Sequence, residues 1–294
     1  MKTPRDLLRE HSLQARKSLG QNFLRQPHTA WQIVRRAEIA PGDTVIEVGV
    51  GLGALTTALA QAAKRVIGFE LDRGLVALHE EENDLPENVE LRHQDILRVN
   101  LAALAAEVGE PLHVVSNLPY SISHPFLFLM LDNREYIRQV TVMVQEEVAA
   151  RLTAAPKSKE YGIVTVLFAL CAKVTPLIAV PPDVFYPQPA VQSRLIRIMF
   201  TPENSPPAAE FSLVKKIVKQ SFGNRRKTLR NTLGNSSFWR QFPEIQEENG
   251  KTLGERLLRQ AGISDKARPE ELAPEQFLHL AKIVEDMRQS VASS

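Results

Sequence analysis

The chain has almost no cysteine and no long apolar segment. Its 294 residues include one cysteine, Cys171, so an internal disulfide and a cysteine-based metal site are both excluded. Because Cys171 lies in an apolar segment, we interpret it as a small core residue. No apolar run is long enough to span a bilayer, and residues 1–16 are polar, without the apolar core of a signal peptide. We therefore expect a cytoplasmic protein.

The net charge is small, +2, but it is unevenly distributed. Residues 1–36 have eight Lys/Arg against two Asp/Glu, a net charge of +6, and residues 201–294 have a net charge of +3. Residues 37–200 have a net charge of −7. Basic ends on an acidic central part favour a polyanionic partner, and solvated surface charge is the alternative.

Short apolar segments alternate with helical patterns from about residue 44 to residue 200. This alternation predicts an α/β fold with a mostly parallel sheet that helices cover on both faces. Residues 201–207 are polar and rich in proline, which marks a boundary, and only helical patterns follow. We predict a catalytic domain with a basic N-terminal segment at residues 1–203, and a small all-helical domain at residues 204–294.

The loop Gly49-Val50-Gly51-Leu52-Gly53 follows a predicted strand and opens a helix. Glycines at such a turn let a ligand approach the backbone, and the loop lacks the Gly-Lys-Ser/Thr of triphosphate sites. Glu70 ends the next strand, where a carboxylate can accept from both ribose hydroxyls. Asp95 follows the third strand, where it can accept from the amine of a bound adenine. An ordinary turn and a helix N-cap are the alternatives for the loop and for Asp95.

The tetrapeptide Asn117-Leu118-Pro119-Tyr120 follows another apolar strand. The Asn117 side-chain oxygen and the Leu118 carbonyl can accept the two N–H groups of an aromatic amine and so favour a pyramidal nitrogen, while Tyr120 offers a stacking face. Catalysis would then be mainly positioning, without a strong base or a metal. Together with the glycine loop, the tetrapeptide predicts methyl transfer from S-adenosylmethionine. A strained proline turn with a core tyrosine is the alternative.

Two further segments are predicted to contact a nucleic acid. Phe185 begins a stiff, proline-rich segment and is predicted to cover the other face of a flipped base, with a packed aromatic in a surface loop as the alternative. Residues 215–230 hold seven basic residues and no acidic one, which favours phosphate contacts over a merely solvated helix face. These basic residues are Lys215, Lys216, Lys219, Arg225, Arg226, Lys227 and Arg230.

These motifs resemble those of the small-subunit ribosomal RNA adenine N6,N6-dimethyltransferase family. The resemblance spans nearly the whole chain and rests on Lys17–Leu24 (KSLGQNFL), Val45–Thr56 (VIEVGVGLGALT), Glu70–Asp72 (ELD), Asn117–Tyr120 (NLPY), Phe185–Ser193 (FYPQPAVQS) and Phe222–Asn231 (FGNRRKTLRN). It implies a Rossmann-like class I methyltransferase sheet with a small C-terminal all-helical domain. The implied S-adenosylmethionine contacts are Asn22, Leu24, Gly49, Gly51, Glu70, Asp95 and Asn117, and the implied catalytic residues are Asn117, Leu118, Pro119, Tyr120 and Phe185.

The resemblance implies dimethylation of two adjacent adenosines near the 3′ end of 16S rRNA, by a monomer acting on a ribosome assembly intermediate. The chain departs from the family pattern at Val50, where proline is common, and at Ser121, where asparagine is common. Ala190 and Gln192 replace a usual Lys and Asp. These departures bear on loop stiffness and local RNA contacts.

Three alternatives share parts of this pattern. An erythromycin-resistance type methyltransferase would carry out the same chemistry on large-subunit RNA, but the long C-terminal helical region favours the small-subunit family. A protein-glutamine methyltransferase would have a second proline at the position of Leu118. A non-catalytic assembly factor would not need Glu70, Asn117 and Tyr120 to be intact.

Overall fold

The computed structural model describes residues 2–201, 205–224, 227–245 and 249–292. The packing of the backbone divides the chain into two units: Met1–Ala149 with Lys173–Phe200, and Ala150–Ala172 with Thr201–Ser294. The sequence-based division at residues 203 and 204 placed residues 150–172 in the catalytic domain. In the structure these residues pack with the C-terminal helices instead, so the helical unit takes in an excursion from the α/β unit.

The first unit is built on a mixed seven-stranded sheet. Its strands are β2 (Thr44–Val48), β3 (Arg65–Glu70), β4 (Val89–His93), β5 (Leu112–Asn117), β6 (Ile137–Gln145), β7 (Ala172–Val180) and β9 (Ser193–Phe200). They lie in the order β4-β3-β2-β5-β6-β9-β7. The five strands from β4 to β6 are parallel, and β9 is antiparallel to β6. A separate antiparallel pair joins β1 (Phe23–Leu24) to β8 (Phe185–Tyr186).

Helices connect these strands, as the alternation predicted. They are α1 (Pro4–Glu10), α2 (Pro27–Ala37), α3 (Ala54–Ala62), α4 (Arg73–Glu82), α5 (Leu101–Val108), α6 (Ser123–Asp132) and the start of α7 (Glu146–Leu152). Local capping sets several of the boundaries. The Asp72 side chain accepts the N–H of Gly74 at the start of α4, and Asn83 ends that helix in the left-handed conformation that asparagine tolerates.

The central parallel strands β3, β2, β5 and β6 are mostly buried, because helices cover both of their faces, whereas the edge strand β4 is only half-buried. The side chains of Val45, Val66 and Val115 have no exposed surface and belong to one apolar cluster with residues of α2 and α3. Strands buried on both faces read as near-continuous apolar runs, and this is why the sequence predicted them.

The second unit is helical. Its helices are the end of α7, α8 (Ile163–Ala169), α9 (Ala208–Phe222), α10 (Leu229–Leu233), α11 (Ser236–Trp239), α12 (Gly250–Gln260) and α13 (Pro274–Ala292). Aromatic side chains fill its core, where Phe238, Trp239 and Phe242 pack edge to face. Cys171 is buried, as expected of a small core residue.

Within the described ranges, the helices are too short or too polar to cross a membrane.

Candidate active site

A cavity opens in the α/β unit at the carboxyl ends of β2, β3, β4 and β5. Because these strands are parallel neighbours, the loops that follow them meet at one edge of the sheet, where ligands bind in open α/β sheets. The cavity brings together all the residues that were predicted to contact a cofactor. They are Asn22, Leu24, Gly49, Gly51, Glu70, Asp95 and Asn117.

The glycine loop adopts a conformation that other residues would strain. Gly49 and Gly51 have φ angles of +76° and +62°. A Cβ atom on Gly49 would lie 3.0 Å from Cγ of Pro119. The loop and the Asn117–Tyr120 tetrapeptide therefore touch through a glycine and a proline, and this contact forms part of the cavity wall.

The Glu70 carboxylate is almost fully buried beside the glycine loop. Its Oε2 accepts the N–H of Gly51 at 2.9 Å, and its Oε1 accepts the N–H groups of Leu71 and Asp72 at 2.9 and 2.8 Å. Burial raises the pKa of Glu70 above its ordinary value, although these three N–H groups oppose the shift. The carboxylate is thus locked in orientation at the strand end.

Asp95 both lines the cavity and caps a short 3₁₀ helix. Its Oδ1 accepts the N–H of Leu97 at 3.0 Å, and its Oδ2 lies 3.8 Å from Nε of Arg98. Asp95 therefore has the N-cap role that was its alternative. This role is compatible with ligand binding, because the capping residue still lines the cavity.

The orientation of the Asn117 amide follows from its partner. Its Nδ2 donates to the backbone carbonyl of Asn22 at 2.9 Å. A carbonyl only accepts, so the NH₂ group must face Asn22, and Oδ1 faces away from that carbonyl. The amide therefore presents an acceptor, as the prediction for a methyl-accepting amine requires.

Tyr120 lies in the cavity wall and is only partly buried, so it is not the core tyrosine of the alternative interpretation. Its hydroxyl forms a hydrogen bond with the hydroxyl of Ser193 at the start of β9. Burial raises the pKa of Tyr120, so the phenol is neutral at physiological pH. The last residue of the Phe185–Ser193 motif thus holds the tyrosine by its hydroxyl.

Phe185 does not occupy the predicted position. Its side chain has no exposed surface and packs in the apolar cluster with Leu24 and Val184, in the short strand that pairs with β1. A ring without exposed surface cannot stack on a base in this conformation. Two strands that sequence reasoning did not predict, β1 and β8, pair and turn this ring inward.

The sequence reasoning missed two residues that position the N-terminal segment. The Ser121 hydroxyl donates to the carbonyl of Leu19 at 2.8 Å. Gly20 has a φ of +65°, and a Cβ atom there would lie 2.6 Å from the backbone nitrogen of Ser121. Ser121, noted above as a departure from the family pattern, therefore binds the segment that closes one side of the cavity. The glycine was the available signal.

In the part of the chain that the structure describes, the cavity wall has three carboxyl side chains and no Lys, Arg or His. The three carboxyl side chains are Glu47, Glu70 and Asp95. A wall of carboxyl groups favours a cationic ligand and disfavours a phosphate. S-adenosylmethionine has a sulfonium, an ammonium and a ribose, and no phosphate, so this wall fits it.

Glu47 supplies a first prediction, on stability. Burial and the charge of Glu70 raise the pKa of Glu47 to about 8, above the ordinary value of 4.5. Between pH 4.5 and about pH 8, the folded chain therefore keeps a proton on Glu47 that the unfolded chain has released. Over this range its free energy of unfolding falls by about 1.4 kcal/mol per pH unit. We expect Glu47→Gln to lack this contribution in urea unfolding at about pH 6 and pH 7. Equal pH slopes for both proteins would show an ionised Glu47.

The basic residues of the helical unit are dispersed in role. Lys216 and Lys219 on α9 are exposed, as is Lys227, whereas Lys215 is half-buried. Arg230 pairs with Glu255 at 2.6 Å, so its charge is neutralised within the unit. Arg225 and Arg226 lie outside the described residues. The apolar residues in and around this basic segment are buried, as in an amphipathic helix: Leu213, Ile217, Val218, Leu229 and Leu233.

The chain matches the family model described as ribosomal RNA adenine dimethylase over residues 12–286. The chain belongs to this family. It is 42% identical to a ribosomal RNA small subunit methyltransferase A of Desulfotalea psychrophila over 278 residues, which cover 95% of this chain and 94% of the relative. The family is defined by methyl transfer to adenine, so the chain is a methyltransferase that uses S-adenosylmethionine and acts on ribosomal RNA.

Solved structures agree with this assignment. A dimethyladenosine transferase from Plasmodium falciparum superposes with a TM-score of 0.74 at 22% identity, covering 90% of this chain and 98% of that one, and shows the common fold. The 23S rRNA methyltransferase ErmE superposes with a TM-score of 0.61 at 26% identity, covering 90% and 100%. The Rossmann-like sheet and the helical C-terminal region are therefore confirmed. ErmE is less similar to this chain, at 26% identity, than the small subunit methyltransferase A, at 42% identity. The large-subunit alternative therefore fits less well than the small-subunit assignment.

Proposed function

We propose that this enzyme dimethylates the N6 amines of two adjacent adenosines near the 3′ end of 16S rRNA, in a precursor of the small ribosomal subunit. The observation that carries the proposal is the placement of the Asn117–Tyr120 tetrapeptide. It forms one wall of the acidic cavity that suits S-adenosylmethionine. We further propose that the enzyme acts as a monomer in the cytoplasm, where this precursor is assembled.

Glu70 would hold the cofactor through its ribose, and Asp95 would hold it through its adenine. The backbone of the glycine loop would pack against the cofactor. When bound, the sulfonium supplies an electrophilic methyl group. The Asn117 Oδ1 and the Leu118 carbonyl would accept the two N–H groups of the target amine and aim its lone pair into the cavity. These residues position the amine rather than deprotonate it, so the rate gain comes from orientation.

The target adenine must leave its stack to reach this wall, as in other enzymes that modify bases. Tyr120 would then receive the base on the face of its ring. Its hydroxyl bond to Ser193 fixes the ring, and stacking requires only the face. The hydroxyl and the ring therefore have separable roles.

This separation gives a second prediction. We expect Tyr120→Phe to keep methyl transfer within about threefold, because the ring face remains, and Tyr120→Ala to lose about tenfold in kcat/KM, since a stacked base contributes roughly 1–3 kcal/mol. Steady-state kinetics on unmethylated small subunits measures both. If the two variants lost activity equally, the hydroxyl and not the ring would be the important group.

A third prediction concerns the basic segment at residues 215–230, for which we propose a role in binding rRNA phosphates. Neutralising three of its charges in Arg225→Ala/Arg226→Ala/Lys227→Ala should weaken binding to small subunits regardless of the RNA sequence that is contacted. Each lost phosphate contact should also flatten the plot of log affinity against log salt concentration by about one unit. A salt titration of binding measures this slope.

The matched control removes the same charge elsewhere in the helical unit, in Lys251→Ala/Arg259→Ala/Lys282→Ala, whose side chains are exposed. We expect this control to keep the original salt slope, and both variants to keep their affinity for S-adenosylmethionine. Equal slopes for the two triple variants would show that the basic segment at residues 215–230 is only solvated and that RNA is bound elsewhere.

The substrate assignment is tested by offering the enzyme both ribosomal RNAs. With labelled S-adenosylmethionine, we expect methyl incorporation into unmethylated small subunits and none into large-subunit RNA. Free adenosine should be a very poor substrate, because it lacks the phosphates that the basic segment at residues 215–230 would contact. Incorporation into large-subunit RNA would favour the erythromycin-resistance type of activity instead.

A further inference from the structure

A buried histidine lies behind the glycine loop, outside the cavity wall. His79 is on α4, and its side chain is 1% exposed. A buried imidazole in a helix often only fills the core. Here both of its nitrogens have polar partners, and one of these partners is the loop itself.

The two partners define what the imidazole must do. Nε2 lies 3.0 Å from the carbonyl oxygen of Gly51, and Nδ1 lies 2.7 Å from Oδ1 of Asp84. A carbonyl only accepts hydrogen bonds, so the contact with Gly51 places an N–H donor on Nε2 of His79. The Asp84 carboxylate faces the other ring nitrogen and orients the ring toward the loop.

Gly51 is consequently held on both sides. Its N–H donates to Oε2 of Glu70 at 2.9 Å, and its carbonyl accepts from His79. The ring also supports the loop sterically, because a Cβ atom on Gly53 would lie 3.2 Å from Cε1 of His79. The residue expected to bind the ribose and the histidine behind the loop therefore act on the same glycine.

We propose that His79, oriented by Asp84, is a positioning residue that holds the glycine loop in the form that binds S-adenosylmethionine. It does not touch the cofactor and acts through Gly51. Without this bond, the partly buried Gly51 carbonyl would lose its hydrogen-bond donor, and the loop would populate other conformations. The inference rests on the cavity being the cofactor site and is independent of which RNA is methylated.

The test compares two replacements of the ring. Leucine in His79→Leu keeps the bulk and removes both donors, whereas glutamine in His79→Gln keeps an N–H₂ group that can reach the Gly51 carbonyl. We expect calorimetry to give a Kd for S-adenosylmethionine about tenfold higher for His79→Leu, and within about threefold of the original for His79→Gln, since loss of a hydrogen bond to a buried carbonyl costs about that factor. The KM for small subunits, and kcat with both substrates saturating, should be unchanged.

A control and a second variant complete the design. His28→Leu, on an exposed face of α2, should leave the Kd unchanged. Asp84→Ala removes the partner at a half-exposed position, and we expect its Kd to rise severalfold. An unchanged Kd in Asp84→Ala, or equal losses of affinity and of stability in His79→Leu and His79→Gln, would reduce the pair to a core contact and overturn the proposal.

Spectroscopy reads the same bond without any cofactor. In nitrogen-15 NMR spectra near neutral pH, we expect a histidine with a proton on Nε2 that is protected from exchange by its bond to the Gly51 carbonyl, and its signals should be absent from His79→Gln. A His79 ring without a proton on Nε2 would contradict the proposed donor role. Because both measurements omit RNA, failure of the rRNA assignment would leave them unchanged, whereas an unmodified protein that bound no S-adenosylmethionine would overturn both proposals.

Discussion

Replacing Asn117 with alanine is expected to lower the single-turnover rate of methyl transfer by about 10²–10³-fold, the usual cost of removing one preorganised polar group at a reacting centre. The amine of adenine is a weak nucleophile because its lone pair is delocalised into the ring. The Asn117 Oδ1 contributes most as that nitrogen becomes pyramidal, so the loss should appear in the rate rather than in RNA binding.

The Asn117 amide also donates to the carbonyl of Asn22, and this second role must be separated from the first. Asn117→Asp keeps the acceptor and loses the donor, so it should weaken closure of the N-terminal segment and bind S-adenosylmethionine less tightly. At saturating cofactor and RNA, its single-turnover rate should exceed that of Asn117→Ala. Asn133→Ala, an amide at the end of α6 away from the cavity, is the matched control.

A rate for Asn117→Ala near that of the unmodified enzyme, on saturating substrates, would show that this amide does not orient the amine. The Leu118 carbonyl would then remain as the only predicted acceptor. Because the measurement is a single turnover, slow product release cannot mask a loss in the chemical step.

Replacing Glu70 with alanine is expected to weaken S-adenosylmethionine binding by roughly 1–3 kcal/mol, or about 5- to 150-fold in Kd. Two effects combine. The ribose hydroxyls would lose their acceptor, and the N–H groups of Gly51, Leu71 and Asp72 would lose the carboxylate that orders the loop. Calorimetry with the folded variant measures the change, and an unchanged Kd would remove Glu70 from the site.

Glu90→Ala provides the matched control on the neighbouring strand β4. This glutamate belongs to a surface ion-pair network with Arg65 and Arg92, so its loss should leave the Kd unchanged.

The raised pKa of Glu70 adds a pH dependence to the binding of S-adenosylmethionine. Since the ionised form accepts from hydroxyls, affinity should fall as the pH drops through that pKa, and the fall should begin at a higher pH than for an ordinary glutamate.

The α/β pattern was predictable from the sequence because its strands are buried on both faces and its helices have local caps. Such caps set the bounds of α4 and α5, where Asp72 and Asn100 cap the first turns and Asn83 and Gly109 end the helices in the left-handed conformation. Residues 161–172 mix β-branched residues with Leu and Ala, a composition that fits helix or strand, and the structure divides the region into α8 and the start of β7. β7 mixes exposed and half-buried positions without strict alternation, so periodicity did not reveal it.

The site was predictable where function depends on strand ends, and less so where it depends on contacts between distant segments. Glu70, Asp95 and Asn117 follow directly from the order of parallel strands. The burial of Phe185 depends on pairing between β1 and β8, about 160 residues apart, which no local pattern encodes. His79 was missed for the same reason, because an ordinary helical position gains its role only from the loop that it touches.

The central claim is that this enzyme dimethylates two adjacent adenosines of the small-subunit RNA. The direct measurement is mass spectrometry of nucleosides and RNA fragments after unmethylated small subunits react to completion with S-adenosylmethionine. We predict two N6,N6-dimethyladenosines next to each other near the 3′ end of 16S rRNA, and none with Asn117→Ala in the same reaction time. Methyl groups at another atom, at a single adenosine, or elsewhere in the RNA would contradict the account.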